Sequence, residues 1–260
     1  MKFSIVTPVL NRDKHIERAI RSASEQQHPD FEHIVIDGGS TDQTVEVLSR
    51  FPHLRTVSEP DGGCVFAMNK GLRLITGEVF GWLNSDEKYL PGTFRLVEKY
   101  FSDNPSWDVI FGHYTFMDAE GNEIGRCGRH RFSRTLQIAG LNWIVPSAAF
   151  VRVSALNDIG GRLDERWKDV FDHDLWIRLS EHHKVAVVPE YLSSFGLHPE
   201  SGVVGTPERA IRERALVRQH YRKDSNSAKE RLLAAFVDGI WLLYRHTKWR
   251  RMLSLTRPGG

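Results

Sequence analysis

Short apolar runs alternate with glycine-rich polar turns over the first ninety positions. Phe3 to Val9 is β-rich and is closed by Thr7 and Pro8, so it predicts a strand passing into a loop. Asn11 or Asp13 then stands where a cap belongs, ahead of Ile16, Ala19, Ile20 and Ala23 at helical spacing. His33 to Asp37 predicts a second strand, Gly38 to Asp42 a turn, and Val45, Val47 and Leu48 a helix. Arg55 to Ser58 predicts a third strand, Glu59 to Gly63 a turn, and Val65 to Ile75 a helix. Val79 to Leu83 has the length of a buried strand and runs out into the acidic turn Asn84, Ser85, Asp86, Glu87. The order β-α-β-α-β-α-β argues for a parallel, doubly wound sheet.

The later pattern is less regular. An amphipathic helix is expected over Pro91 to Phe101, starting at the proline. Trp107 to Met117 reads as a long strand, Glu123 to Gly128 as its hairpin partner, and Ala148 to Val153 as a further strand. Two helices are expected at the end, Pro207 to Tyr221 and Ala228 to Trp249. The second has an apolar face and a basic end formed by Arg245, Lys248, Arg250 and Arg251. That suits a helix on an anionic membrane surface, and equally one packed on the core.

Composition narrows the class. With 260 residues, 40% hydrophobic and 26% charged, the chain can build a globular core. A net charge of +2 is too small to argue for nucleic acid as a partner. Cys64 and Cys127 offer neither a disulfide framework nor metal-type spacing, which fits a reducing, cytoplasmic setting. The N-terminus does not read as a signal peptide, and no apolar run is long enough to span a bilayer.

Candidate chemistry follows from the layout. Asp37, Asp61 and Asp86 each follow a strand, so they should gather at the carboxyl edge of the sheet, where open α/β sheets bind ligands. Each alone is also ordinary turn chemistry. No Gly-x-Gly-x-x-Gly follows the first strand and no P-loop is present, which excludes two common nucleotide sites.

The ordered stretches Ser4 to Asn11, Ile34 to Asp42, Ser58 to Gly63, Ala67 to Gly71 and Gly77 to Asp86 resemble family 2 glycosyltransferases of the GT-A fold. The resemblance implies one Rossmann-like, doubly wound mixed sheet flanked by helices, with C-terminal helices. Residues 1–100 would be the nucleotide-sugar-binding half, 101–205 the acceptor-binding and catalytic half, and 206–260 a helical extension. Thr7, Pro8 and Asn11 match the loop that touches the nucleotide. Asp37 matches the carboxylate at the base or ribose, and Asp61 a second nucleotide contact near the sugar-phosphate. Asn69 and Lys70 lie in the helix behind it. Asn84, Ser85 and Asp86 stand where the family has Asp-x-Asp, so Asp86 would be the principal ligand of a divalent cation, Mn2+ or Mg2+. Asn84, in place of the first Asp, would be at most a neutral donor.

Asp172 to Leu179 resembles the family's catalytic segment, with Asp172 as general base. Residues i and i+2 of a helix point roughly 200° apart, so Asp172 and Asp174 should not share a face. Asp174 and Arg178 are i,i+4 and can pair, which leaves Asp172 to face a cleft or to cap the helix. His198 matches a histidine used near the metal and diphosphate, with Ser201 as a weaker phosphate contact. Trp143 and Trp167 suit either stacking on an acceptor sugar or packing in the core.

The implied reaction moves a sugar, UDP-linked in most members, to an acceptor hydroxyl with inversion. Bacterial members often use glycan or lipid-linked acceptors for surface polysaccharide, which would put the chain in the cytoplasm, with peripheral contact at the inner face of the membrane through the basic tail. The alternative is a non-catalytic nucleotide- or glycan-binding module with an eroded metal motif, which Asn84 keeps open.

Overall fold

The computed structural model describes residues 1–128, 131–142, 144–198, 201 and 207–222. These described residues fall into two compact units, one drawn from 1–132 and 144–197, the other from 133–142 and 198–222. The first unit is built on one sheet. Its parallel half comprises β1 (Phe3–Val9), β2 (Phe31–Asp37), β3 (Leu54–Ser58) and β4 (Val79–Trp82). These lie in the order β3-β2-β1-β4, which reproduces the pattern expected from the alternating runs. The connections are α1 (Ile16–Ser24), α2 (Thr44–Ser49) and α3 (Cys64–Leu72).

The sheet continues through the rest of the unit. A two-residue strand, β5 (Lys88–Tyr89), leads to α4 (Thr93–Asp103). Next come β6 (Val109–Met117) and its hairpin partner β7 (Glu123–Cys127). A single 3-10 turn, Pro146–Ala148, opens β8 (Ala149–Arg152), which runs into α6 (Val153–Asp158) after a short α5 (Arg134–Ile138) of the second unit. Helix α7 (Phe171–His182) and strand β9 (Val185–Gly196) close the unit. The order β4-β8-β6-β9-β5 adds antiparallel pairs beside the parallel half, so the sheet is mixed. The second unit also holds α8 (Pro207–Arg222).

Alternation along β1 divides the core between the two faces of the sheet. Phe3, Ile5 and Val9 join Ile16, Ile20, Phe94 and Phe150 in one cluster, with the Phe3 and Phe94 rings stacked at 4.8 Å. Val6 points the other way, to α3. A Cβ on Gly71 of α3 would lie 2.3 Å from Val6 Cγ1, so the close helix–strand approach requires that glycine.

Several boundaries differ from expectation, each for a local reason. Pro8 lies within β1 instead of ending it. Val6 turns its carbonyl toward the β4 side, where it accepts from Leu83 N at 3.0 Å, and in a parallel strand Pro8 faces that same side. Beyond the Val6–Trp82 register pair β4 has ended, so the missing N–H costs no ladder bond. Helix α4 starts at Thr93, because Gly92 holds φ 81, a left-handed conformation that stops Pro91 from being the first residue. Neither Asn11 nor Asp13 caps α1, whose N-cap is His15.

The long strand β9 contains a proline, Pro189. The proline sits where the register with β6 shifts between Phe111 and His113, and bulges tolerate proline. Gly112 lies opposite, and a Cβ there would meet Glu190 O at 2.5 Å.

Candidate active site

The carboxyl edge of the parallel strands carries the three aspartates, as the layout implied. Asp37 ends β2 in register with Val9 and Ser58. It is fully buried. Its carboxylate accepts from Ser58 Oγ at 2.6 Å, from Ser40 N at 3.1 and 3.2 Å, and from Ser40 Oγ. These bonds fix the loop after β2. Asn11, at φ 52, ties the loop after β1 to it. Its N–H donates to Ser40 Oγ at 2.8 Å and its Oδ1 accepts from Thr41 N at 2.8 Å. Arg12 N to Thr44 Oγ1, 2.9 Å, and Asp13 N to Asp42 Oδ2, 3.2 Å, continue the seam. Thr7 is buried beneath, its hydroxyl 2.9 Å from His33 Nε2. Burial, then the neighbouring His53, pushes the His33 imidazole down to about 3. Thr7 and Pro8 are therefore strand residues under the loop, and Asn11 belongs to the loop itself.

Asp61 stands over Gly38. A Cβ on Gly38 would lie 3.1 Å from Asp61 Oδ2, so the approach is made possible by the missing side chain, not by unusual backbone. Asp61 Oδ1 also accepts from Gly63 N at 2.8 Å. Gly63, at φ 113, is the N-cap of α3. Cys64 follows, solvent-exposed at its edge. Desolvation of its sulfur by the surrounding residues pushes the thiol up to about 12, although the residue as a whole is exposed, and the charges of Asp61, Asp172, Asp86 and Glu87 push the same way. The charges of these acidic groups are thus all felt at the Cys64 thiol, at the start of α3.

The turn after β4 is tightly organised. Trp82 Nε1 donates to Asn84 Oδ1 at 2.8 Å, and Asn84 Nδ2 donates to Glu87 Oε1 at 2.9 Å. Ser85 is buried, whereas Asp86 is half-buried. Glu87, only 2% exposed, is raised to about 8. Burial is the main cause, the Asp86 and Asp172 charges add to it, and hydrogen bonds from Ser147 and Asn84 oppose it.

Helix α7 brings Asp172 to this group. Its N-cap is Val170, without a side-chain cap bond, so Asp172 does not cap the helix. It lies in the first turn, where the backbone dipole favours a carboxylate. Phe171 stacks on Trp82 at 5.3 Å and 13°. Asp174 pairs with Arg178 at 2.8 Å, as the i,i+4 spacing implied, and accepts from Trp167 Nε1 at 3.1 Å. Arg178 also donates to the carbonyls of Ile159 and Arg162. Of the two readings of Trp167, its 7% exposure and its bond to Asp174 match packing.

Other expected site residues are engaged elsewhere. Asn69 is buried in α3, where its amide donates to Leu163 O at 3.0 Å and to Glu165, and accepts from Leu163 N at 2.8 Å. It pins the segment that leads to α7. Lys70 Nζ pairs with Glu59 at 2.7 Å. His198 is buried in the second unit, its carbonyl accepting from Ser201 N at 2.9 Å. Trp143 and the expected 228–249 helix lie outside the described residues.

Glu87 and Cys64 were not singled out from the sequence. The usable signal for Glu87 was its i,i+3 spacing from Asn84 in a tight turn, which brings an amide beside a carboxylate. Among the described residues, no group of three or more His, Cys, Asp or Glu is arranged to hold a metal ion. Asp86 offers hard carboxylate oxygen, which suits Mg2+ or Mn2+ where substrate phosphates and water complete the shell.

A mixed sheet of this order, flanked by helices, has the architecture of the GT-A fold. Residues 4–160 match the model of Glycosyl transferase family 2, and the chain belongs to that family. An uncharacterized glycosyltransferase of Rickettsia typhi is 27% identical over 209 residues, 75% of this chain and 64% of that protein. An uncharacterized protein of Mycobacterium tuberculosis is 30% identical over 210 residues, 73% of this chain and 65% of its own length. The chain thus spans about two thirds of the length of these relatives. Chondroitin synthase of Pasteurella multocida is 27% identical over 183 residues, 68% of this chain and 19% of the synthase. Among solved structures, TarS 1-349 of S. aureus in complex with UDP-GlcNAc superposes with TM-score 0.68. It is 20% identical, over 90% of this chain and 71% of that one. A mannosyltransferase from Pyrobaculum calidifontis in complex with GDP-Man and Mn2+ gives 0.61 at 15% identity, over 98% and 84%. Among the described residues, no helix is long and apolar enough to cross a membrane.

Proposed function

We propose that the chain transfers a sugar from a UDP-sugar to an acceptor hydroxyl with inversion of the anomeric centre. The observation that carries this reading is the placement of Asp61 and Asp86 in the loops after β3 and β4, with the Asp61 carboxylate against Gly38 after β2, and of Asp172 in the first turn of α7. Residues 1–100 hold the donor, residues 101–205 supply the acceptor side and the base, and 206–260 is an extension. The seam of Asn11, Asp37 and Ser40 shapes the floor for base and ribose. Asp61 lies near the sugar-phosphate.

Asp86 would hold Mn2+ or Mg2+, with His198 assigned to the same diphosphate end by family resemblance. A cation there supplies positive charge to the departing diphosphate. Asp172 takes the proton of the attacking hydroxyl, a role worth about 10²–10⁴-fold in rate. Its place beside Asp86 and Glu87 puts the base close to where the donor phosphates would lie. The UDP-GlcNAc bound to TarS supports the choice of donor nucleotide, and the GDP-Man complex marks the competing one. Likeness to chondroitin and hyaluronan synthases supports a glycan acceptor. A lipid-linked acceptor and a cytoplasmic, membrane-peripheral setting are the further proposal that the basic residues Arg245, Lys248, Arg250 and Arg251 support.

The test is nucleotide release from a panel of UDP-, GDP- and dTDP-sugars, with Mn2+, with Mg2+ and with chelator. Turnover of one donor is expected to require the cation and to vanish in Asp86→Ala and Asp172→Asn. A folded chain that binds none of the donors would sink the transferase reading and favour a non-catalytic binding module.

A further inference from the structure

We propose that Asn84 is a positioning residue that sets the acidic turn against the first turn of α7, and that it is not a metal donor. The proposal rests on the transferase reading above and concerns how its two key carboxylates are held at a fixed separation. Asn84 occupies the first position of the Asn84, Ser85, Asp86 motif, but both ends of its carboxamide face inward. Oδ1 accepts from the Trp82 indole N–H at 2.8 Å, and Nδ2 donates to Glu87 Oε1 at 2.9 Å. The Glu87 N–H closes the turn on Asn84 O at 3.1 Å. One side chain must therefore accept from a nitrogen and donate to a carboxyl group. A carboxamide does both, whereas a carboxylate has no proton to donate.

The consequence reaches Asp172. Trp82 is buried and stacks on Phe171 at 5.3 Å with ring planes 13° apart. Stacking fixes the plane of the indole, and the hydrogen bond to Asn84 fixes its rotation within that plane. Phe171 is the first residue of α7, and Asp172 is the next. Asp86 is held between Ser85 and Glu87 in the turn that Asn84 closes. The path Glu87–Asn84–Trp82–Phe171 thus joins Asp86 to Asp172 through side chains of which Glu87, Trp82 and Phe171 are buried and Asn84 is partly so. The two hydrogen bonds of the Asn84 carboxamide favour a single arrangement of the turn.

A misplacement of about 1 Å between reacting groups can cost 10²-fold in rate. The experiment makes Asn84→Ala, Trp82→Phe and the double variant in the full chain, with thermal unfolding to show that each folds. Trp82→Phe keeps an aromatic ring on Phe171 and deletes the indole N–H together with part of the ring, so it carries the test if Asn84→Ala does not fold. The readouts are kcat and KM for the donor found in the screen, the Kd for Mn2+ by electron paramagnetic resonance, and the Kd for UDP by calorimetry. Expected is a fall in kcat of about 10- to 100-fold in Asn84→Ala, with KM and both Kd values within about twofold. Trp82→Phe should lose kcat in the same direction, and the double variant should be no worse than the worse single one, because both cut the same path. Loss of Mn2+ affinity by about tenfold or more in Asn84→Ala, with Trp82→Phe like the wild type, would overturn the proposal in favour of a metal donor. Additive losses in the double variant would overturn it as well. A wild-type chain that binds neither UDP nor Mn2+ would instead bring down the transferase reading, and this proposal with it.

Discussion

Lowering the pH should destabilise this protein through His33 before it reaches the carboxylates. His33 is buried between β1 and β2, 2.9 Å from Thr7 Oγ1. Burial, then His53, lowers its pKa from 6.5 to about 3. The folded imidazole thus stays neutral at pH 5, while an unfolded one is protonated. Between pH 6.5 and 3 the unfolded state binds the extra proton, so stability is full above 6.5 and falls as the pH drops through that window. At pH 5.0 the unfolded imidazole is protonated about thirtyfold over neutral, which corresponds to a loss of about 2 kcal/mol relative to pH 7.5. That is about 4–8 °C in melting temperature for a domain of this size. The assay is urea unfolding at both pH values, followed by tryptophan fluorescence, for the wild type and His33→Gln. Glutamine offers an amide near the position of Nε2 and does not titrate. The chain has 12 histidines, and comparison with the variant cancels the contribution of the others. The wild type should lose about 2 kcal/mol more than the variant on acidification. Equal losses, within about 0.5 kcal/mol, would refute the claim that His33 is held neutral by burial.

Gly38→Ala would place a Cβ about 3.1–3.3 Å from the Asp61 carboxylate. It should raise donor KM several-fold with a smaller change in kcat, read in the donor assay. Gly71→Ala sets a Cβ 2.3 Å from Val6 Cγ1 and should cost about 1–3 kcal/mol of stability by overpacking α3 on β1, read by urea unfolding. Arg178→Met removes the ion-pair partner of the buried Asp174. A loss of about 3–5 kcal/mol is expected, with partial recovery in Arg178→Met combined with Asp174→Asn. If the double variant unfolds as readily as the single one, the buried charge is not the source of the loss.

Much of the fold was legible because the parallel half obeys local rules. Each strand of β1 to β4 is a short apolar run, and each turn carries the glycines and aspartates that turn chemistry demands. The segments beyond Leu83 were less legible because their strands are set by neighbours. Pro189 reads as a break in sequence, yet β9 absorbs it at a bulge opposite Gly112. The positions of Asp37, Asp61 and Asp86 followed from strand order, a property of the chain alone, whereas Asp172 was singled out by resemblance to the family's catalytic segment. Partners were harder to foresee. Asp37 turns inward to Ser40 and Ser58, and Asn69 clamps Leu163.

The same distinction explains why a departure from a motif can be misread from sequence. Asn84 alters the charge of the motif, which suggests loss. Its partners, an indole N–H and a buried carboxyl group, are both close in sequence, at i−2 and i+3. What made them invisible is that the turn folds Trp82 and Glu87 toward the same side chain, which no periodicity of strand or helix encodes. An amide there lowers the local negative charge by one beside Asp86 and Glu87, where burial already opposes ionisation. A second aspartate at this point would add like charge to a buried group and remove a donor, so within this particular turn the asparagine is the stabilising choice.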